Sequence, residues 1–324
     1  MSQDQARATR SAQASEAAIA EAARILRAGG LVAFPTETVY GLGADAQRGE
    51  SVAAIYAAKG RPTFNPLIAH VLDSDGASRQ GILSREARLL AQAFWPGPLT
   101  LVAPVAAGCS ISLLARAGLD SVALRVPAHP VARALLAAVG APVVAPSANL
   151  SGAVSPTTAA HVLADLSGRI DFVLDGGPCG LGLESTIVAC LDERPRLLRP
   201  GGISRERIER VLGRPLMQSP GSDETIVAPG MLESHYAPRA LVRLNACDVR
   251  QGEAALDFGG CLRGGLAYRD LSPSRDLAEA AANLFAFLRL LDGSGAASIA
   301  VAPIPQHGLG EAINDRLDRA AAQR

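Results

Sequence analysis

The chain has a single lysine, Lys59; the other 30 of its 31 basic residues are arginine. Arginine is a planar, permanently charged fork and lysine a compact point charge, so one survivor in an arginine-biased chain needs a reason. Aromatic residues are also scarce, at 4%, which leaves the core to Ala, Val, Leu and Ile. Neither charge sign is in excess: 31 basic residues balance 31 acidic ones, at 22 against 21 up to residue 239 and 9 against 10 after it. That excludes a general polyanion binder acting through phosphate neutralisation and leaves room only for a local basic cleft. No apolar run approaches the roughly 20 residues needed to span a bilayer. The start, MSQDQARATRSAQAS, has no apolar segment of the secretory kind, so a cytoplasmic protein without membrane contact is expected. The five cysteines are odd in number, form no CxxC pair and make no zinc pattern with the five scattered histidines. Reduced thiols are the simplest account. No GxxxxGK[ST] loop, GxGxxG after a strand or GxSxG elbow occurs, so any ATP is held without a Walker loop.

With 48% apolar and 19% charged residues, the chain reads as soluble and globular. Its 324 residues favour one large and one small domain. Residues 1–14 read as a disordered tail. Ser15 can cap a helix whose apolar face carries Ile19, Ala22, Ala23 and Leu26 and which ends at Gly29-Gly30. Strands are expected at 31–34, 67–72, 99–104, 121–126, 142–145, 172–174, 186–191 and 196–198. Helices are expected at 52–58, 84–94, 131–139 and 205–212, and Ser155-Pro156 has the form of a helix start. Short apolar strands suit a sheet covered by helices. Several connections lack a helix, so an α/β fold with a twisted, mixed, open sheet is expected over residues 15–212. Residues 213–239 are rich in Pro, Gly and Ser and read as a linker, yet they end in the unusually specific His235-Tyr236-Ala237-Pro238. Strands near 241–244, 266–268 and 298–304 and helices at 273–291 and 309–322 then make a smaller α/β unit over 240–324.

Four stretches carry polar and glycine residues at strand ends, where open α/β sheets form their ligand crevice. The first runs from Phe34 to Gly43 and holds Thr36, Glu37 and Thr38; a plain strand–turn reads the same residues equally well. The second, Lys59 to His70, puts Lys59 and Arg61 on one short loop stiffened by Pro62 and Pro66, with Asn65 between them. Two cations there suit a triphosphate or carboxylate. Against that, Lys59 also ends a helix, where cations are favoured anyway, and a lone strand histidine is more often a satisfied core residue. The third, Ala145 to Thr157, sets Ser147, Asn149 and Ser155 before a helix N-terminus, which suits an anion or nucleotide, although Ser and Asn are common turn residues. The fourth is Glu184-Ser185-Thr186 with Arg199 beyond it. Arg125, inside an apolar strand, requires an anionic partner.

Taken in order, these stretches resemble the threonylcarbamoyl-AMP synthase family, whose catalytic core is a YrdC-type domain. The resemblance rests on PTETVYGLG (35–43), KGRPTFNPL with His70, WPGPLTLV (95–102), ALRVPAHP (123–130), APSANLSG (145–152), DGGP (175–178), ESTIV (184–188) and LLRPGGIS (197–204). HYAP (235–238) and GLGEAINDRL (308–317) resemble the longer, two-domain members, so the match extends from about Glu16 to the end. It implies a YrdC-like sheet followed by a smaller, Rossmann-like α/β domain. It also implies that L-threonine, bicarbonate or CO2 and ATP are joined into threonylcarbamoyl-AMP and pyrophosphate. A separate tRNA threonylcarbamoyltransferase would take the product for the t6A modification, and strong direct tRNA binding is not expected. Thr38, His70, Arg125, Ala145 and Ser185 would line the threonine pocket. Arg61, Asn65, Ser121, Ser147, Ser155, Arg199 and Tyr236 would contact ATP, with Lys59 between the two and Lys59 and Arg61 as the catalytic cations.

The implied chemistry suits the residues. A carbamate is short-lived in water, so enclosure matters, and its attack on the α-phosphate depends on positioning and charge. Mg²⁺ would be expected on the triphosphate with few protein ligands, since no acidic cluster is visible. Glu37 and Glu184 are candidate general bases, each equally suited to holding its own loop. If Tyr236 contacts nucleotide, residues 213–239 fold back as a lid. A carbamoyl transferase of the hydrogenase-maturation type is the first alternative, but the acylphosphatase-like module and zinc-finger cysteines of those chains are not seen. An RNA-binding module is the second, and the balanced charge argues against it.

Overall fold

The computed structural model describes residues 8–218 and 236–322. Among them, eleven strands form one sheet: β1 (Arg10–Gln13), β2 (Val32–Phe34), β3 (Gly41–Asp45), β4 (Ile68–His70), β5 (Leu99–Pro104), β6 (Ser121–Arg125), β7 (Val143–Val144), β8 (Phe172–Asp175), β9 (Thr186–Ala189), β10 (Arg196–Arg199) and β11 (Met217–Gln218). Their spatial order is β1-β8-β2-β3-β7-β4-β6-β5-β9-β10-β11. The sheet is mixed: β4 runs parallel to β6 and β5 to β9, whereas β6 opposes β5 and β7 opposes β3 and β4. Helices α1 (Glu16–Arg27), α2 (Gly49–Lys59), α3 (Ser74–Gln80), α4 (Arg85–Phe94), α5 (Pro130–Val139), α6 (Ala159–Leu166) and α7 (Arg205–Leu212) accompany it. A second, wholly parallel sheet has the order β12 (Leu241–Arg243), β15 (Ser298–Val301), β13 (Glu253–Asp257), β14 (Tyr268–Asp270), and carries α8 (Leu277–Asp292) and α9 (Leu309–Ala321). No helix among the described residues is long and apolar enough to cross a membrane.

Local chemistry explains most boundaries. Ser15 caps α1, its hydroxyl accepting from Ala18 N at 3.2 Å, and the face carrying Ala22, Ala23 and Leu26 is buried. Gly60 ends α2 at φ +61, a left-handed conformation that glycine adopts without strain, so the chain reverses immediately after Lys59.

Four expectations need correction. Residues 10–13 are not tail but edge strand β1, paired with β8; Arg10 N donates to Asp171 O at 3.1 Å and Ala14 N to Asp175 O at 2.7 Å. Its sequence, RSAQ, has no apolar alternation because the strand is mostly exposed and held by its backbone. Residues 1–7 lie outside the described residues. Ser155 does not cap a helix: α6 begins at Ala159, and Thr158 accepts from His161 N at 3.3 Å. Strand β13 was not anticipated, because Glu253 and Asp257 at its ends disguise it; both are buried and bonded. The connector opens with β11, which pairs with β10, while residues 219–235, most of the expected linker and lid, lie outside the described residues.

The two sheets share packing. Val39, Val154 and Leu183 of the first part join the apolar cluster of the second, beside Leu256, Leu284 and Ile313. Gly182 (φ +71) makes the approach possible, since a Cβ there would stand 2.4 Å from Ala281 O on α8. Three ion pairs cross the same seam: Arg316–Glu184 at 2.8 Å, Arg289–Asp165 at 2.6 Å and Arg205–Glu311 at 2.5 Å.

Candidate active site

Where β4, β6 and β7 lie side by side, their ends open onto a narrow cavity lined by Thr38, Arg61, His70, Arg125, Ala145, Ser147, Ser185, Arg199 and Tyr236. Strand register brings several of these together: His70 lies opposite Arg125 and Val143, and Ala145 N donates to Ile68 O at 3.0 Å. Of the residues expected to bind, Lys59, Asn65, Ser121 and Ser155 are not part of this lining.

One wall is made by the large sheet alone. In the turn before β3, Thr36 Oγ1 donates to Val39 O at 2.7 Å and stands 2.7 Å from Thr38 Oγ1. Since the single proton of Thr36 goes to the carbonyl, Thr38 must donate to Thr36, and its lone pairs remain to accept from a ligand. Arg125 finds the anion its strand demanded in Glu37, at 2.7 Å, and Glu37 also accepts from Ala128 N at 3.1 Å. Burial works against the Glu37 carboxylate, but the Arg125 charge and its hydrogen bonds outweigh it and hold the pKa below the usual 4.5. Burial, reinforced by the Arg125 charge, pushes His70 down to about 3, so the imidazole is neutral. Ser185 Oγ lies 2.7 Å from Thr100 Oγ1 on β5.

The other wall draws on distant segments. Arg61 donates to Asn65 O at 3.4 Å and Pro66 O at 3.2 Å. Burial lowers its pKa to about 10, and the guanidinium stays charged at neutral pH. Arg199 clamps the Ser185 carbonyl with two bonds, at 2.9 and 3.2 Å. Ser155 Oγ donates to Glu184 Oε1 at 2.5 Å, and Arg316, from the far end of the chain, holds Glu184 Oε2. Burial again opposes the Glu184 charge, and the Arg316 and Arg199 charges prevail, lowering its pKa. Tyr236 lines the cavity at φ +62, its ring stacked on Phe285, while Ala237 N donates to Gly152 O at 2.9 Å. The end of the connector is thereby seated on the Ala145–Gly152 loop. Ser121, at the start of β6, pairs with Pro104 on β5.

Lys59 is placed differently from a cation aimed at a carbamate or phosphate. Its buried Nζ donates to Ser147 O at 2.6 Å and to Asn149 O, while Ser151 N donates back to Lys59 O at 2.9 Å. Burial first, then the neighbouring Arg61 charge, pushes its pKa well below 10.5. It is a strut under the Ser147–Asn149 loop. Glu37 and Glu184, weighed as general bases, are both ion-paired loop anchors.

Two residues that shape the site escaped sequence reasoning. Tyr40 Oη donates to Gly177 O at 2.7 Å, which latches the PTETVYGLG stretch to DGGP. Arg316 sits on the buried stripe of α9 with Ile313, Leu317 and Ala320. An arginine at an apolar helical position was its available signal.

The buried polar atoms without a protein partner point to the same place. Asn65 Nδ2 and Oδ1, His70 Nδ1, Arg125 Nε and Asn149 Oδ1 are five of the six such side-chain atoms among the described residues, and all belong to segments that wall the cavity. Among the described residues no group of three or more His, Cys, Asp or Glu could hold a metal ion.

Known proteins resemble this chain over nearly its whole length. A model of the Sua5/YciO/YrdC family, described as telomere recombination, matches residues 24–201. A second, described as the C-terminal domain of threonylcarbamoyl-AMP synthase, matches residues 203–322. Threonylcarbamoyl-AMP synthase of Bacillus subtilis is 42% identical over 94% of this chain and 93% of its own length, and that of Pyrococcus abyssi 40% identical over 94% of each. The crystal structure of P. abyssi Sua5 complexed with L-threonine superposes with a TM-score of 0.89 at 38% identity, covering 97% of both chains. With both family models matched in order and relatives this similar over nearly its whole length, the chain belongs to the threonylcarbamoyl-AMP synthase family.

Proposed function

We propose that the protein is an L-threonylcarbamoyladenylate synthase, a nucleotidyltransferase that makes threonylcarbamoyl-AMP and pyrophosphate from L-threonine, bicarbonate or CO2 and ATP. The observation that carries this reading is that two lining residues, His70 and Arg125, keep buried Nδ1 and Nε atoms without a protein partner, side by side in one cavity. Each such atom left unsatisfied costs about 1–3 kcal/mol, so their concentration marks where a polar ligand completes the hydrogen bonding.

Arg125, fixed by Glu37 through one edge, takes the threonine carboxylate with its remaining donors. Thr38 Oγ1 accepts from the ammonium or hydroxyl, neutral His70 adds a partner without repelling the cation, and Ala145 and Ser185 close the pocket. The threonine ammonium gives one proton to solvent, and the free amine then bonds to carbon. CO2 takes it with loss of a second proton to water, whereas in bicarbonate a C–O bond breaks and water leaves. The carbamate oxygen then attacks the α-phosphorus in line, and the bond to pyrophosphate breaks. Arg61 and Arg199 stabilise the phosphate charge, and Ser147, Ser155, Asn65, Ser121 and Tyr236 orient the nucleotide. Mg²⁺ would arrive on ATP as part of the substrate.

The chain divides into a catalytic part from β1 to residue 212, a connector at 213–239 whose described end brings Tyr236 to the cleft, and a small domain at 240–324. Its product passes to a tRNA-modifying transferase in the cytoplasm, where five unpaired cysteines are at home. Incubation with ATP, L-threonine and bicarbonate should release pyrophosphate only when all three are present. Threonine-independent release, or none, would overturn the reading.

A further inference from the structure

Arg316 is the largest wholly buried side chain among the described residues, at 0% exposure. It stands on the stripe of α9 that otherwise carries Ile313, Leu317 and Ala320, where an aliphatic residue would pack with no desolvated charge. Its guanidinium is spent on groups of the other domain. Nε donates to Glu184 Oε2 at 2.8 Å, and Nη2 to Pro200 O at 2.9 Å, next to Arg199. Nη1 is held by its own neighbour Asp315, and the plane lies 5.2 Å from the centroid of the Tyr236 ring.

The second oxygen of Glu184 accepts from Ser155 at 2.5 Å. One fork therefore fixes the carboxylate that orients Ser155, the turn that follows Arg199, and the face of Tyr236. These are three of the residues to which the proposed function gives the nucleotide. The other two ion pairs across the seam reach less. Arg205–Glu311 is a quarter exposed on each side, and Arg289 bonds Asp165 and Val154 O, the carbonyl before Ser155, rather than Glu184 or the turn after Arg199.

We infer that Arg316 is a positioning residue for ATP: the small domain serves the reaction by inserting this guanidinium behind the nucleotide wall. The inference rests on the proposed assignment of that wall to ATP. Lysine at 316 would keep a charge but lose the planar fork that reaches Glu184 and Pro200 together. A misplacement of about 1 Å at reacting groups can cost about 100-fold.

Steady-state kinetics on the full-length chain test it. Arg316→Lys should raise KM for ATP by about 10- to 100-fold, while KM for threonine and the calorimetric affinity for threonine stay within about twofold. The control Arg205→Gln, which removes a different cross-seam pair, should leave both KM values unchanged. An unchanged KM for ATP in Arg316→Lys, or equal losses for both substrates, would overturn the inference. If that variant does not fold, Arg316→Met with Glu184→Gln removes both buried charges and must show the same ATP-selective loss; a wild-type KM for ATP there rejects the idea. Arg199→Ala separates the underlying reading. If it leaves KM for ATP unmoved, the wall itself is misassigned; if it raises that KM while Arg316→Lys does not, only the role of Arg316 falls.

Discussion

The two walls of the cleft are built by different means. The Thr38–His70–Arg125–Ser185 wall comes from the first 190 residues, and its side chains stand on paired strands or on a turn closed by Thr36. In the Arg61–Arg199–Tyr236 wall the two arginines are held by carbonyls of the large domain, but Tyr236 and the Glu184 carboxylate behind the wall meet Arg316 of the small domain. Main-chain pairing preorganises the first wall locally. Buried charges hold the second, and these tolerate loss of one partner poorly because the survivor stays desolvated.

The strongest test of this contrast compares the two anchoring carboxylates. Glu184→Ala strands Arg316 at 0% exposure and should cost about 3–5 kcal/mol of unfolding free energy in chemical denaturation. Glu37→Ala also strands a buried arginine, but the Glu37 side chain is 20% exposed, so water can enter the space it vacates beside Arg125, and the loss should be about 1–3 kcal/mol. Equal losses would mean that the walls do not differ in this way.

Lys59 belongs to neither wall; it supports the loop that carries Ser147 into the lining between them. An arginine there keeps a cation but is too long and planar to donate to two carbonyls two residues apart. Lys59→Arg should lower kcat by about 10- to 100-fold with the fold intact by circular dichroism. Near-normal turnover would show that the loop holds its shape unaided.

A pH titration reaches the first wall selectively. The His70 pKa falls from 6.5 in the unfolded chain to about 3 in the fold. Between those values the unfolded state binds the extra proton, so stability rises with pH. The contribution is fully present above about pH 6.5 and is lost at up to about 1.4 kcal/mol per unit as pH falls toward 3. His70→Gln should flatten that part of the stability–pH curve, read from urea midpoints between pH 4 and 7. An unchanged slope would place the acid sensitivity in the carboxylates instead.

The same contrast governs what could be read before the fold was known. Arg125 announced its need for an anion by lying in an apolar strand, but several carboxylates could have answered, and only the turn at Thr36 brings Glu37 there. Ser155-Pro156 has the local form of a helix cap, yet the hydroxyl is drawn to Glu184, a tertiary bond 29 residues away. Lys59 was singled out correctly as unusual, while its partners are backbone carbonyls, which no residue pattern can display. Strand β13 hid behind two acidic residues whose partners are Arg243, two strands away on β12, and Tyr268 on the adjacent β14. Motifs local to one loop were legible. Contacts closing over more than a hundred residues, such as Arg316 to Glu184, were not.

The smallest expected effect tests whether the first wall is as locally set as its strands suggest. Thr100 is wholly buried on β5, and its hydroxyl meets Ser185 Oγ at 2.7 Å from the neighbouring strand segment. Thr100→Val keeps the branched shape and removes only that partner. The lost hydrogen bond should cost about 1 kcal/mol. Ser185 Oγ also accepts from Arg199 Nη2 at 3.3 Å, so without Thr100 the oxygen would shift toward that donor. KM for threonine should therefore rise about threefold to tenfold, in proportion to that same energy, with KM for ATP unmoved. A larger change for ATP than for threonine would mean that Ser185 couples the two walls through Arg199, and that the threonine side is not preorganised on its own.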